Sequence, residues 1–272
     1  VTSVQIFQGN LKDLSPEIVS RFDVAICDLP YSEHVHKSAT SVDKGTWRNR
    51  DLEFSYLDRE TRIAACNLLR GIKRWTLLYS DVENDWILRL AMQARGVGYV
   101  RTLPWVRWSM PQTTGDRPPQ GFEVVLCFHP KTRKRWNGSG GLVSLNHTAM
   151  RGEGKHKTQK PLDQMLDLVS WFSEPGEWVI DFTAGAGTTG RACQLLGRNF
   201  LGLELSETWA AFGQERLRSP LSELEREHVE RYLTAKAQAT DEDLSRPNVK
   251  RRYDARATDK ECVRVQASAR GH

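Results

Sequence analysis

Two short segments of this 272-residue chain carry side chains whose types and spacing could do chemistry. The first is Asp28-Leu29-Pro30-Tyr31, directly after the apolar run Val24-Ala25-Ile26-Cys27. A buried strand ending there delivers a carboxylate, two rigid backbone units and an aromatic ring. An exocyclic amine on an aromatic base is a poor nucleophile, because its lone pair is delocalised into the ring. Acceptors for both N–H bonds favour a pyramidal nitrogen and free that pair. The Asp28 carboxylate can accept one hydrogen bond and the Leu29 carbonyl the other. Pro30 fixes the turn, and Tyr31 can stack on a base turned out of a helix. Hydrogen bonds to a charged group are worth about 1.5–3 kcal/mol, and preorganised groups of this kind commonly carry about a hundred-fold in rate. Taken alone, the tetrapeptide also reads as a plain strand-ending turn.

The second segment is Asp181-Phe182-Thr183-Ala184-Gly185-Ala186-Gly187-Thr188-Thr189. It reads as the end of a strand, a glycine turn and the start of a helix. Glycines let a backbone turn sharply and approach a ligand closely. Glu204 closes the next strand, where a carboxylate can accept both ribose hydroxyls of a nucleoside cofactor. Gly190 makes the pattern formally GxGxxG, so spacing alone admits a dinucleotide as well as S-adenosylmethionine (SAM). The amine-acceptor segment upstream favours SAM.

Together these residues resemble the β-class amino-methyltransferases of DNA, in which the catalytic motif precedes the SAM loop. In that family the catalytic motif is usually Asp-Pro-Pro-Tyr for adenine and often Ser-Pro-Pro-Tyr for cytosine N4. Here Leu29 departs from it, at a position where only a carbonyl is needed. Asp181, Gly185, Gly187, Thr188 and Thr189 match the family's SAM loop, and Thr158-Gln159-Lys160-Pro161 matches the segment that lines the methionine end of SAM. Gly9-Asn10 resembles the family's Gly-Asp near the cofactor's adenine. The resemblance implies that Asp28, Leu29, Pro30 and Tyr31 are catalytic. It implies that Asn10, Asp28, Lys160, Pro161, Asp181, Phe182, Gly185, Gly187, Thr188, Thr189 and Glu204 hold SAM. The implied reaction is methylation of a flipped base in double-stranded DNA. Asp rather than Ser at position 28 favours adenine N6 over cytosine N4. An enzyme acting on RNA or a protein amide fits the motif order less well. A DNA-binding accessory module would bind SAM without turnover.

The elements that must position these residues alternate. Strands are expected at 4–7, 23–27, 75–79, 99–108, 123–128, 178–182 and 200–204. Helices are expected at 11–22, 59–72, 86–94, 161–172, 188–196 and 208–218. That alternation predicts an α/β, Rossmann-like methyltransferase fold, with a mostly parallel sheet covered by helices on both faces. Residues 32–60 read as a polar loop. Residues 1–218 form the expected catalytic domain, with a short recognition segment at 129–157. Residues 219–272 read as a charged, helical and then disordered tail.

The net charge of +5 is compatible with a polyanion, and its arrangement says more. Lys131, Arg133, Lys134 and Arg135 precede Trp136, and Arg151, Lys155 and Lys157 lead towards Lys160. With His34, these are the expected nucleic-acid contacts. The segment 129–157 also holds Trp136, Asn137, Asn146 and His147 for base reading. It is too short for an independent reader, so specificity of one to three bases is expected. Trp105 and Trp108, at strand spacing, are expected to pack rather than stack on bases. The five cysteines are widely spaced with no CxxC, so reduced cysteines in a cytoplasmic protein are expected. His34 and His36 have no third ligand nearby, and no metal site is expected. No apolar run is long enough to span a membrane, and no signal peptide is expected. Homodimerisation, common in the family, has no signature here.

Overall fold

The computed structural model describes residues 2–38, 40–43, 46–49, 55–106, 121–131, 136–137 and 159–243. The elements run β1 (Val4–Gln8), α1 (Pro16–Val19), β2 (Val24–Asp28), α2 (Glu33–Ser38), β3 (Thr40–Asp43), β4 (Thr46–Asn49), α3 (Arg59–Leu69), β5 (Thr76–Ser80), α4 (Val82–Gln93), β6 (Gly98–Val106), β7 (Phe122–His129), α5 (Leu162–Phe172), β8 (Trp178–Asp181), α6 (Thr188–Leu196), β9 (Asn199–Glu204), α7 (Glu207–Arg218) and α8 (Glu223–Asp243). The main sheet has the order β1-β9-β8-β2-β5-β7-β6. The pairs from β1 to β5 are parallel, and β7 runs against both β5 and β6. The Rossmann-like, mostly parallel sheet expected from the sequence is therefore present, with β7 as its reversed strand.

Side chains alternate across the sheet, as strand geometry requires. Val24 and Ile26 face one apolar layer, with Leu162, Leu166 and Leu195 from the helices. Ala25 and Cys27 face the other, with Val19, Leu69, Leu88 and Met92. A sheet covered on both faces needs such continuously apolar strands. Cys27, Cys66, Cys127 and Cys193 are buried and free. Trp105 is buried, in agreement with its reading as core; Trp108 and Cys262 lie outside the described residues.

Three differences from the expected elements have local causes. The single helix expected over 11–22 is a 3-10 turn (Leu11–Asp13) followed by the four-residue α1. Pro16, at the start of α1, cannot continue a preceding helix but suits a new first turn, and Ser15 caps it. Helix α4 starts four residues earlier than expected because Asp81 accepts from the Glu83 and Asn84 amides at 2.9 and 2.7 Å. Within 32–60, expected as a loop, the chain forms α2 and the antiparallel pair β3–β4.

The segment after Arg218, expected as a tail, carries α8 back onto α5. Leu221, Val229 and Tyr232 join the apolar layer that holds Leu162 and Leu166. His228 lies 3.0 Å from Asp163, and Glu225 pairs with Arg191 at 3.1 Å and Arg216 at 2.7 Å. Among the described residues, no helix is long and apolar enough to cross a membrane.

This packing makes α8 part of the folded unit. Tyr232→Ala is expected to lower stability by about 3 kcal/mol, the cost of truncating a large buried side chain. A solvated tail would respond by less than about 0.5 kcal/mol. Urea unfolding of the full chain distinguishes the two.

Candidate active site

The two chemistry-bearing segments meet because β2 and β8 are neighbours, with Val24 opposite Val179 and Ala25 opposite Ile180. From β2 the chain moves to β5 on one side; from β8 it moves to β9 on the other. This is the topological switch point of the sheet, where the carboxyl ends of strands leave a crevice. Asp28 ends β2 and Asp181 ends β8. The Asp28 amide donates to Thr183 Oγ1 at 3.0 Å, across 155 residues of sequence. The Phe182 amide donates to Cys27 Sγ at 3.5 Å.

The glycine loop is organised from within. Asp181 accepts from the Thr183 amide at 3.0 Å and from Thr189 Oγ1 at 2.8 Å. Burial pushes its carboxyl up to about 7, against the effect of these hydrogen bonds. Gly187 has φ 77° at the N-cap of α6, a conformation that costs a side-chain-bearing residue. A Cβ at Gly190 would come within 2.7 Å of the Phe200 ring, so glycine here permits the close approach of α6 to β9. Thr188 Oγ1 accepts from Arg216 at 3.0 Å and Thr183 Oγ1 donates to Asp181 at 3.1 Å, so all three threonine hydroxyls of the loop face protein partners. Phe182 is buried in the apolar layer beneath.

Glu204 ends β9 beside this loop. Its Oε2 accepts from the Gly185 amide at 2.8 Å and its Oε1 from the Ser206 amide at 2.9 Å. An ionised carboxylate has about four acceptor positions, so each oxygen keeps capacity for a ribose hydroxyl. Asn10 lies alongside, because the Gly9 amide donates to the Glu204 carbonyl at 3.0 Å. The Asn10 side chain accepts from the Lys12 amide at 3.0 Å and caps the 3-10 turn. This donor set, a diol-accepting carboxylate beside a glycine turn, fits the nucleoside part of SAM.

Lys160 and Pro161 precede α5, with Pro161 in its N-cap position. The Lys160 Nζ lies 2.9 Å from Asp28 Oδ2, 3.3 Å from Glu123 Oε2 and 3.2 Å from Tyr31 Oη. It also stands 4.7 Å from the ring centre of Tyr79 and 5.2 Å from that of Trp105. Tyr31 Oη donates to Glu123 Oε2. Asp28 Oδ1 is shielded from solvent and has no hydrogen-bond partner. Burial holds the Asp28 carboxyl above its ordinary value; Lys160 opposes that shift and Glu123 adds to it. The Tyr31 phenol is pushed well up, first by burial and then by Glu123 and Asp28. Leu29 is buried in the apolar layer that holds Cys27, so its side chain anchors the turn that its backbone makes.

Two residues that sequence reading passed over complete the site. Asp81 accepts from the Ser32 amide while capping α4, and so ties the turn after Tyr31 to the end of β5. Its signal was an acid between a strand and a helix. Glu123 is the lone acid in the largely apolar β7, which was its signal.

The expected DNA contacts are only partly described. His34 is exposed on α2, and Lys131 is exposed just after β7. Arg133, Lys134, Arg135, Arg151, Lys155 and Lys157 lie outside the described residues, as do Asn146 and His147. Asn137, expected among the base readers, instead donates to the Ser170 and Ser173 carbonyls at 3.3 and 3.0 Å. It satisfies carbonyls at the C-terminus of α5, and Trp136 packs on the adjacent apolar layer.

Comparison with known proteins agrees with this geometry. A family model for DNA methylases of the N6/N4 type matches residues 23–214. The type II methyltransferase M2.DpnII of Streptococcus pneumoniae is 30% identical over 245 residues, covering 79% of this chain and 89% of that protein. M2.LlaDCHI of Lactococcus lactis subsp. cremoris is 21% identical over 238 residues, covering 76% and 85%. Among solved structures, the M1.HpyAVI–SAM complex superposes with a TM-score of 0.57 at 22% identity, over 78% of this chain and 98% of that one. The cytosine-N4-specific PvuII DNA methyltransferase does so with a TM-score of 0.61 at 12% identity, over 85% and 92%. With its Asp28–Tyr31 turn and glycine loop joined at the switch point and most of its length matched, this chain belongs to the SAM-dependent DNA amino-methyltransferases, the N6/N4 methylase family.

Proposed function

We propose that the base methylated is adenine, at N6, and that Asp28 and the Leu29 carbonyl receive the two N–H bonds of the target amine. The observation that carries the acceptor role is Asp28 Oδ1, a buried carboxylate oxygen without a hydrogen-bond partner. Such an atom is costly unless something donates to it, and the target amine is the donor the reaction brings. Oδ2 is held by Lys160 at 2.9 Å, so the carboxylate presents one oxygen only. Tyr31, held through its hydroxyl, keeps a ring face for the flipped base. Glu204, Asn10 and the loop Asp181–Thr189 would hold SAM, with Lys160 and Pro161 bordering its reactive end. When bound, SAM supplies an electrophilic methyl group on a positively charged sulfur. Asp28, by accepting from the amine, localises the nitrogen lone pair, and the proton released after transfer leaves to solvent.

The aspartate at position 28, in place of the serine frequent in N4-cytosine enzymes, supports adenine. The short segment 129–157, with Lys131, Arg133, Lys134, Arg135, Arg151, Lys155 and Lys157, supports phosphate contact with double-stranded DNA and a recognition sequence of one to three bases. The type II relatives support a role in DNA modification paired with restriction.

Mass spectrometry of nucleosides from unmethylated DNA incubated with the chain and SAM tests the base. N6-methyladenine is expected, with a loss of about a hundred-fold or more in Asp28→Ala. N4-methylcytosine as the sole product overturns the adenine reading, and an unimpaired Asp28→Ala overturns the role of Asp28.

The pH dependence gives a second test. Transfer needs Asp28 ionised, so the rate falls as pH drops through its pKa. Lys160 lowers that pKa. Lys160→Met removes the lowering charge and is expected to move the acidic limb of kcat to higher pH. A limb that stays in place, or moves to lower pH, contradicts the assigned ion pair.

A further inference from the structure

We propose that Glu123 is a positioning residue for methyl transfer: by gathering the Lys160 ammonium and the Tyr31 hydroxyl on one oxygen, it restrains Lys160 to a single oxygen of Asp28 and leaves the other for the target amine. The proposal rests on the reading of Asp28 as the amine acceptor.

Glu123 is the second residue of β7, the reversed strand. Val124 pairs with Ser80, so Glu123 lies beyond the end of β5, beside the catalytic turn. The side chain is 14% exposed and that of Lys160 10% exposed, so neither charge is well solvated. Charges in such a setting interact far more strongly than at a surface. One ammonium here serves two carboxylates, at 2.9 Å to Asp28 and 3.3 Å to Glu123. The Tyr79 and Trp105 ring centres lie 4.7 and 5.2 Å from it, close enough for cation–π attraction. An ammonium drawn to Glu123 cannot turn fully onto Asp28. Without that pull it would be free to engage both oxygens of Asp28 and would compete with the amine for Oδ1. Tyr31 would also lose the acceptor that orients its ring.

A supporting role in the fold is not what this side chain supplies. The β7 pairings to β5 and β6 are made by backbone groups, and the apolar residues Val124 to Phe128 carry the packing. Glu123 instead shares its partners with the reaction.

The experiment uses the full chain with DNA and SAM, comparing wild type with Glu123→Gln, which keeps the shape and removes the charge. The expected result is a fall in kcat of about ten- to a hundred-fold, as for displacement of a reacting group by a fraction of an ångström. SAM affinity, read by calorimetry without DNA, is expected to stay within about two-fold. The acidic limb of kcat is expected to move to lower pH, because a negative charge beside Asp28 is gone. Glu123→Asp should recover part of kcat. A purely structural role would lower thermal stability and SAM affinity together and leave the pH limb in place; that outcome, or an unchanged kcat, overturns the proposal. If Glu123→Gln does not fold, Tyr31→Phe severs the same hydroxyl contact, and an unchanged kcat there is equally fatal. An active Asp28→Ala would sink the underlying reading instead. An inactive Asp28→Ala beside a fully active Glu123→Gln would sink this proposal alone.

Discussion

A carboxylate at the rim of a packed sheet cannot stay ionised without a counter-charge, and the architecture of this site follows from how that need is met. Asp28 sits where burial disfavours its charged form, yet the role proposed for it, accepting from an amine, is strongest in that form. Lys160 supplies the positive charge at 2.9 Å. A lone buried ammonium would be costly in its turn, and it is surrounded by Glu123, Tyr31, Tyr79 and Trp105. The cluster thus draws on β2, β5, β6, β7 and the lead-in to α5. Within it, Asp28 Oδ1 is buried without a hydrogen-bond partner, and it is the atom proposed to receive the target amine.

That cluster can form only because the sheet order brings distant strands together. The switch point between β2 and β8 joins the acceptor turn to the cofactor loop, and the hydrogen bond from the Asp28 amide to Thr183 locks the two together. Asp181 and Thr189 brace the loop from beneath, and Gly190 lets α6 lie close on β9. The two segments are therefore coupled through two hydrogen bonds and one strand pairing. The two segments proposed to hold the cofactor and the target amine are thus carried by the same piece of sheet.

Helix α8, beyond the family match, adds to this support. Helix α8 packs on α5, and α5 begins directly after Lys160. The buried contacts His228–Asp163 and Glu225 with Arg191 and Arg216 tie α8, α7 and α6 into one layer. Lys160 thus leads into a helix whose packing draws on residues more than sixty places later in the chain.

By itself, the sequence determined the parts whose physics is local. Asp28-Leu29-Pro30-Tyr31 is legible because an acceptor, a carbonyl, a fixed turn and a ring come in consecutive residues. The glycine loop is legible because a strand, a turn with Gly187 at positive φ, a helix and Glu204 follow at short spacing. Strand–helix alternation foretold a two-sided parallel sheet, because apolar strands have to be covered on both faces. The unbroken helix over 11–22 and a start of α4 at 86 were misread for want of capping information; the helix after 218 was legible as a helix, but its packing onto α5 was not. Only the tertiary structure decided that Lys160 turns to Asp28, that Glu123 stands 37 residues away in sequence yet 3.3 Å away in space, and that Asp81 holds the turn after Tyr31. Such contacts leave no period and no fixed spacing in the chain: they arise where strands distant in sequence end side by side, and burial then selects which charges can share a site.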